Sequence, residues 1–193
     1  MTLTTLCASV AGRTGGGTLR GGSPRRAGSA VAWAALGLAL AGAGLSADPA
    51  RAQERLKRGE YLATIMDCGG CHTPGAMLGK PDRERNLGGS EVGFQIPGLG
   101  IFYPPNLTSD RDTGLGAWTE ADIVKAVRTG VRPDGRVLAP VMPYGHYGRL
   151  TDADANALAS YLKSLKAVRN QAPAITGPSE KPRAPYLTVV VPN

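Results

Sequence analysis

The sequence predicts an all-α domain of three main helices joined by long loops, and three observations carry that prediction. Apolar side chains recur at helical spacing in three stretches, beginning near Glu54, Glu120 and Asp152. The last two stretches open on Thr-x-x-acid capping sequences, Thr119 to Asp122 and Thr151 to Asp154. The intervals between them are punctuated by Gly and Pro, and the first interval begins with Cys68-Gly69-Gly70-Cys71-His72.

Two thiols separated by two residues and followed at once by an imidazole form the c-type haem attachment signature. Each sulfur adds across one porphyrin vinyl group, and the adjoining histidine lands beneath the iron as proximal ligand. Glycine at both spacer positions lets the backbone bend tightly. Cys68 and Cys71 are therefore the expected thioether anchors of one covalent haem, and His72 an axial ligand. A thioredoxin-like pair would open a helix after a strand, whereas here a helical pattern runs up to the motif. A structural zinc site would need four ligands, and Cys68, Cys71 and His72 are too crowded in sequence for a usual pattern.

The 193 residues divide into three parts. Residues 1–52 read as an export signal: Arg13, Arg20, Arg25 and Arg26 without an acid, then an apolar run from Val31 to Leu45, then the small-residue pattern Ala50-Arg51-Ala52. That run is shorter than the ~20 residues of a spanning helix. Cleavage is expected after Ala52, with Ala47 the weaker site; an uncleaved anchor is the alternative, and the only route to a membrane. Without the leader, 17 basic and 14 acidic side chains remain, a net charge of +3, which makes nucleic acid a poor partner. Cys7 leaves with the leader, so the mature chain has no spare cysteine for a disulfide. Haem attachment outside the cytoplasmic membrane and an export signal support each other, and both point to the periplasm. Residues 53–166 form the haem domain and 167–193 a Pro-rich tail.

Within the domain, Glu54 to Asp67 reads as the first helix, with Leu56, Tyr61, Leu62 and Ile65 on its apolar side. Gly59 costs such a helix about 1 kcal/mol against Ala, which makes sense where another helix crosses closely. From Thr73 to Ala117 the chain is loop, long for a compact domain but able to wrap a large apolar cofactor. Val92, Phe94, Ile96, Ile101 and Tyr103 alternate around Pro97-Gly98, predicting a short, weak hairpin.

Pro104-Pro105 follows. A proximal imidazole usually donates its free N–H to a carboxylate or carbonyl, and the Pro105 carbonyl, held on a stiff ring, is the candidate acceptor for His72. Trp118 either donates its indole N–H to a haem propionate or is plain core. Ile123, Val124 and Val127 stripe the second helix, which Gly130 ends. Arg132 to Leu150 is again loop and presents Met142 between Pro140 and Pro143. A thioether is a soft, neutral ligand for haem iron, and Met142 is the expected distal ligand; His146 is the rival. Ala155, Leu158, Tyr161, Leu162 and Leu165 form the apolar face of the last helix, Tyr161 placed to lie across Gly59, with Lys163 and Lys166 suited to the helix dipole. The tail, ending in Leu187-Thr188-Val189-Val190-Val191, either wraps the domain or docks on a partner.

Taken together, Arg58 to Leu62, Cys68 to His72, Pro104 to Leu107, Thr113 to Trp118, Asp134-Gly135, Met142 to Tyr144 and Leu150 to Leu162 resemble a class I cytochrome c. The likeness is greatest to the haem-c domains that serve periplasmic dehydrogenases for alcohols, aldehydes and sugars, and it covers about residues 54–166. It implies a small helical fold around one haem c, His72 proximal, Met142 distal, and a one-electron shuttle. Many subunits of those dehydrogenases carry three such domains, whereas this chain has one. A filled sixth position leaves no open site for a substrate, so the expected role is electron carrier rather than enzyme, with a dehydrogenase as donor and an oxidase or another cytochrome as acceptor. The alternative is a haem peroxidase or ligand sensor with a labile distal ligand.

Overall fold

The structure, a computed structural model, describes residues 48–192. The expected leader lies outside the described residues up to position 47, together with Cys7 and the Val31–Leu45 run. Among the described residues no helix is long and apolar enough to cross a membrane.

Among the described residues five α-helices form: α1 (Pro49–Ile65), α2 (Cys68–His72), α3 (Glu120–Thr129), α4 (Tyr144–Tyr147) and α5 (Asp152–Ser164). Helix α1 begins five residues before the expected Glu54. Asp48 accepts from the Ala50 N–H at 3.0 Å and Pro49 occupies the first turn, which together make a sound helix start. Its buried face is also rotated from the expected one. Gly59, Leu62 and Ala63 are buried, while Tyr61 and Ile65 are more than half exposed. Tyr61 instead lies beneath the Arg58 guanidinium, 5.4 Å from its ring centre.

The caps of α3 and α5 form as their sequences predict. Thr119 and Asp122 close a reciprocal capping box, and Thr151 accepts from the Asp154 N–H at 3.1 Å. Gly130 ends α3 at φ 75°, the left-handed conformation that a Cβ disfavours.

Helices α1 and α5 cross at Gly59. A Cβ there would run into the Ala157 carbonyl oxygen and come within 2.5 Å of the Tyr161 Cβ, so only glycine permits this approach. Leu62 and Ala63 of α1, Leu158 and Leu162 of α5 and Ile123 of α3 meet behind the crossing as the core. Arg58 and Asp154 close its rim at 2.8 Å.

The all-α expectation requires correction, because a small sheet accompanies the helices. Strand β1 (Gly93–Ile96) pairs antiparallel with β2 (Gly100–Phe102), and β3 (Tyr186–Leu187) pairs parallel on the other side of β1. The first two strands are the hairpin read from the alternation. The third comes from the tail, whose pairing partner lies some ninety residues away and leaves no local signal. Of the two roles open to the tail, wrapping holds through Leu187. Asn106 Nδ2 donates to the Val168 carbonyl at 2.6 Å, Asn170 Nδ2 to Gly88 O at 2.8 Å, and the Tyr103 hydroxyl to Ala184 O at 3.1 Å. Beyond it Val189, Val190 and Val191 are exposed.

Candidate haem site

The attachment sequence is itself a short helix, α2, and its geometry begins one residue earlier. Asp67 takes the left-handed conformation at φ 52°, and its carboxylate accepts from the Gly70 N–H at 3.2 Å. Asp and Asn tolerate that conformation better than other non-glycine residues because a short polar side chain can satisfy the turn locally. A Cβ on Gly70 would strike the Asp67 carboxylate and push it from its place in this cap. The first, Gly69, has only ordinary contacts from 3.6 Å outward.

Both thiols are free and partly buried. Burial pushes the Cys68 thiol up to about 11, and the charges of Asp67 and Cys71 add to the rise; burial and then Asp67 raise Cys71 as well. A reactive dithiol needs the opposite, a microenvironment that favours thiolate. Nor do three His, Cys, Asp or Glu side chains converge as a metal cage among the described residues.

His72 is 7 % exposed, and its Nδ1 lies 2.8 Å from the Pro105 carbonyl oxygen. A carbonyl can only accept, so Nδ1 carries the proton. Burial lowers the imidazole pKa and the Pro105 contact opposes it, the burial effect being the larger. The ring is thus neutral at pH 7 with the Nε2 lone pair free, which is the form a haem iron takes up. The loop is fastened on either side of this contact. The His72 carbonyl accepts from the Gly89 N–H at 2.7 Å, and Thr73 Oγ1 accepts from the Leu87 N–H at 3.1 Å.

Met142 is half-buried on a tight turn: its N–H donates to Ala139 O at 2.9 Å and its carbonyl accepts from the Tyr144 N–H at 2.8 Å. The interval 132–150, expected to be all loop, contains helix α4 just beyond this turn, started by Pro143, whose carbonyl accepts from the His146 and Tyr147 N–H groups. His146 on α4 is exposed.

Trp118 is half-buried against the core, and the Arg132 guanidinium stands 5.1 Å from its ring centre. Its loop is held by Lys163, whose ammonium donates to the carbonyls of Leu115, Gly116 and Trp118 at 3.2, 2.9 and 2.7 Å. That is a tether across the fold, made from the last turn of α5, where Lys163 was expected. The structure therefore brings His72 to Pro105 and packs Cys68 and Trp118 on one core, while Tyr147 of α4, beyond the Met142 turn, donates to the carbonyl of Met66 just before the motif.

The donor set fits a haem: two protonated thiols on one short helix, a buried imidazole with Nε2 available, and a thioether on a stiffened turn. Sequence reading missed Asp67, Tyr147 and the tether made by Lys163. For Asp67 a signal existed, an Asp followed by Gly three residues on. The other two act across 81 and about 47 positions, where no local pattern can reveal them.

Comparison with known proteins gives the family. The chain is 38% identical over 148 residues to the cytochrome c subunit of alcohol dehydrogenase (quinone) from Gluconobacter oxydans (strain 621H), covering 75% of this chain and 29% of that protein. It is 33% identical over 155 residues to the fructose dehydrogenase cytochrome subunit of Gluconobacter japonicus, covering 77% and 29%. With the gluconate 2-dehydrogenase cytochrome c subunit of Pantoea cypripedii it shares 41% over 106 residues, covering 55% and 22%. The chain thus spans less than a third of the length of these relatives. The family model described as Cytochrome c matches residues 56–166, from α1 through the whole of α5. With haem c as the family's cofactor and electron transfer as its work, the chain belongs to the cytochrome c family.

Proposed function

We propose that this chain is an exported c-type cytochrome that carries single electrons through one haem held by His72 and Met142, from a periplasmic dehydrogenase toward the respiratory chain. The contact between His72 Nδ1 and the Pro105 carbonyl is the observation that carries the reading, because it leaves a neutral imidazole whose Nε2 is free to ligate. When bound, the haem supplies a one-electron couple between ferric and ferrous iron.

The residues of the chain do the rest. Cys68 and Cys71 would anchor the macrocycle, Pro105 orients His72, and Met142 would supply a thioether ligand, which would raise the potential and remove the open site a peroxidase or sensor needs. Trp118 is assigned to a propionate. Relatives that are cytochrome c subunits of alcohol, fructose and gluconate dehydrogenases support a dehydrogenase as donor. The chain's work on this reading is electron carriage, with substrate oxidation left to the partner. The expected export signal places it in the periplasm.

Replacing Met142 with Ala tests the assignment. The weak sulfur-to-iron band near the red end of the oxidised spectrum should vanish and the potential should fall. A spectrum unaltered by the replacement transfers the role to His146, and a ferrous wild-type protein that readily takes carbon monoxide overturns the carrier reading.

A further inference from the structure

Helix α4 hangs between two fixed points. At one, the ring of Tyr144 covers Gly130, whose added Cβ would lie 2.9 Å from the ring carbons. At the other, the Tyr147 hydroxyl donates to the Met66 carbonyl at 3.0 Å. Met66 is the C-cap of α1, immediately before the left-handed Asp67 and the attachment helix. Between Met142 and Tyr147 the chain has little freedom, since the N–H groups of Met142, Tyr144, His146 and Tyr147 all donate within the turn and α4.

From this geometry we infer that Tyr147 is a positioning residue: its phenol ties the Met142 loop to the α1–α2 junction and so sets where the thioether stands relative to His72. The inference rests on the Met142 ligation proposed above and assigns the group that holds that ligand in register. The ring alone would fill space; the hydroxyl gives the tether its direction.

Tyr147→Phe in matured, haem-loaded protein removes the hydroxyl and keeps the ring. The variant should retain its covalent haem and its far-ultraviolet circular dichroism. Loss of one neutral hydrogen bond predicts that ferric Tyr147→Phe takes up imidazole at about fivefold lower concentration than wild type, with a weakened sulfur-to-iron band. Tyr144→Phe, which keeps the ring over Gly130, should match wild type. Equal imidazole affinity and an unaltered band in Tyr147→Phe overturn the inference. If instead Met142→Ala leaves the band unchanged, the ligand assignment itself fails, and the two failures are thereby distinguished. The unmutated holoprotein gives an independent test by peptide-level hydrogen exchange: the amides of Met66 to Cys68 and Tyr144 to Gly148 should open together, and separate opening overturns the tether.

Discussion

Replacing Gly59 with Ala sets two physical effects against each other, and the structure decides which prevails. In an exposed helix interior the exchange would stabilise α1 by about 1 kcal/mol through propensity alone. At the α1–α5 crossing the new methyl meets the Ala157 carbonyl oxygen and stands 2.5 Å from the Tyr161 Cβ. Carbon atoms in comfortable contact sit about 3.5 Å or more apart, so the helices must part by roughly 1 Å. Neither obstacle can rotate away, because one is backbone and the other is fixed directly to it. Overpacking of a rigid site costs about 1–3 kcal/mol, and this one belongs at the upper end because parting the helices also loosens Leu62 from Leu158 and Leu162. The net expectation is a loss of about 2 kcal/mol. For a domain of this size that lowers the Tm by about 4–8 °C, read by thermal unfolding of the haem-loaded protein under far-ultraviolet circular dichroism. Gly145→Ala on α4 is the matched control, since a Cβ there meets nothing within 4 Å. A Gly59→Ala protein as stable as wild type, or more so, would show that the two helices do not approach as closely as described.

Two further perturbations probe the long-range ties. Lys163→Met keeps the aliphatic stem but removes the donor to three carbonyls, and charged hydrogen bonds of this kind predict a loss of about 2 kcal/mol with an altered near-ultraviolet signal from Trp118; an unchanged unfolding midpoint and signal would refute the tether. Ending the chain after Leu187 should leave the midpoint unchanged, whereas ending it after Lys166 should lower it, because Asn106 and Thr108, each only 1 % exposed, lose their partner at Val168. Equal stability of the two shortened forms would make the segment a mere passenger.

Much of this organisation was legible because it is local. The thiol and imidazole spacing, the two Thr-x-x-acid caps, Gly130 and the 92–103 alternation each act within a few residues, where chain geometry and pattern coincide. Gly59 and Tyr161 were also readable as a pair, since a glycine inside a helical stripe asks for a close neighbour. What escaped depends on partners far along the chain. The buried face of α1 turned away from Tyr61 because Arg58 covers that ring outside, and no periodicity distinguishes an outward tyrosine from an inward one. Helix α4 is a single turn, too short for a repeat to appear. Strand β3 is two residues whose character comes from β1, and Lys163 found its carbonyls only when α5 met the 115–118 loop.

The crossing of α1 and α5 joins side chains 96 positions apart, as Arg58 and Asp154 show. Contacts at such separation form slowly, because the intervening chain must first be gathered in. A polypeptide emerging from its amino end thus holds α1 without its mate until almost the whole domain has been delivered. Throughout that interval Cys68 and Cys71 remain accessible in an open chain, which is the condition under which a prosthetic group is most readily joined to them.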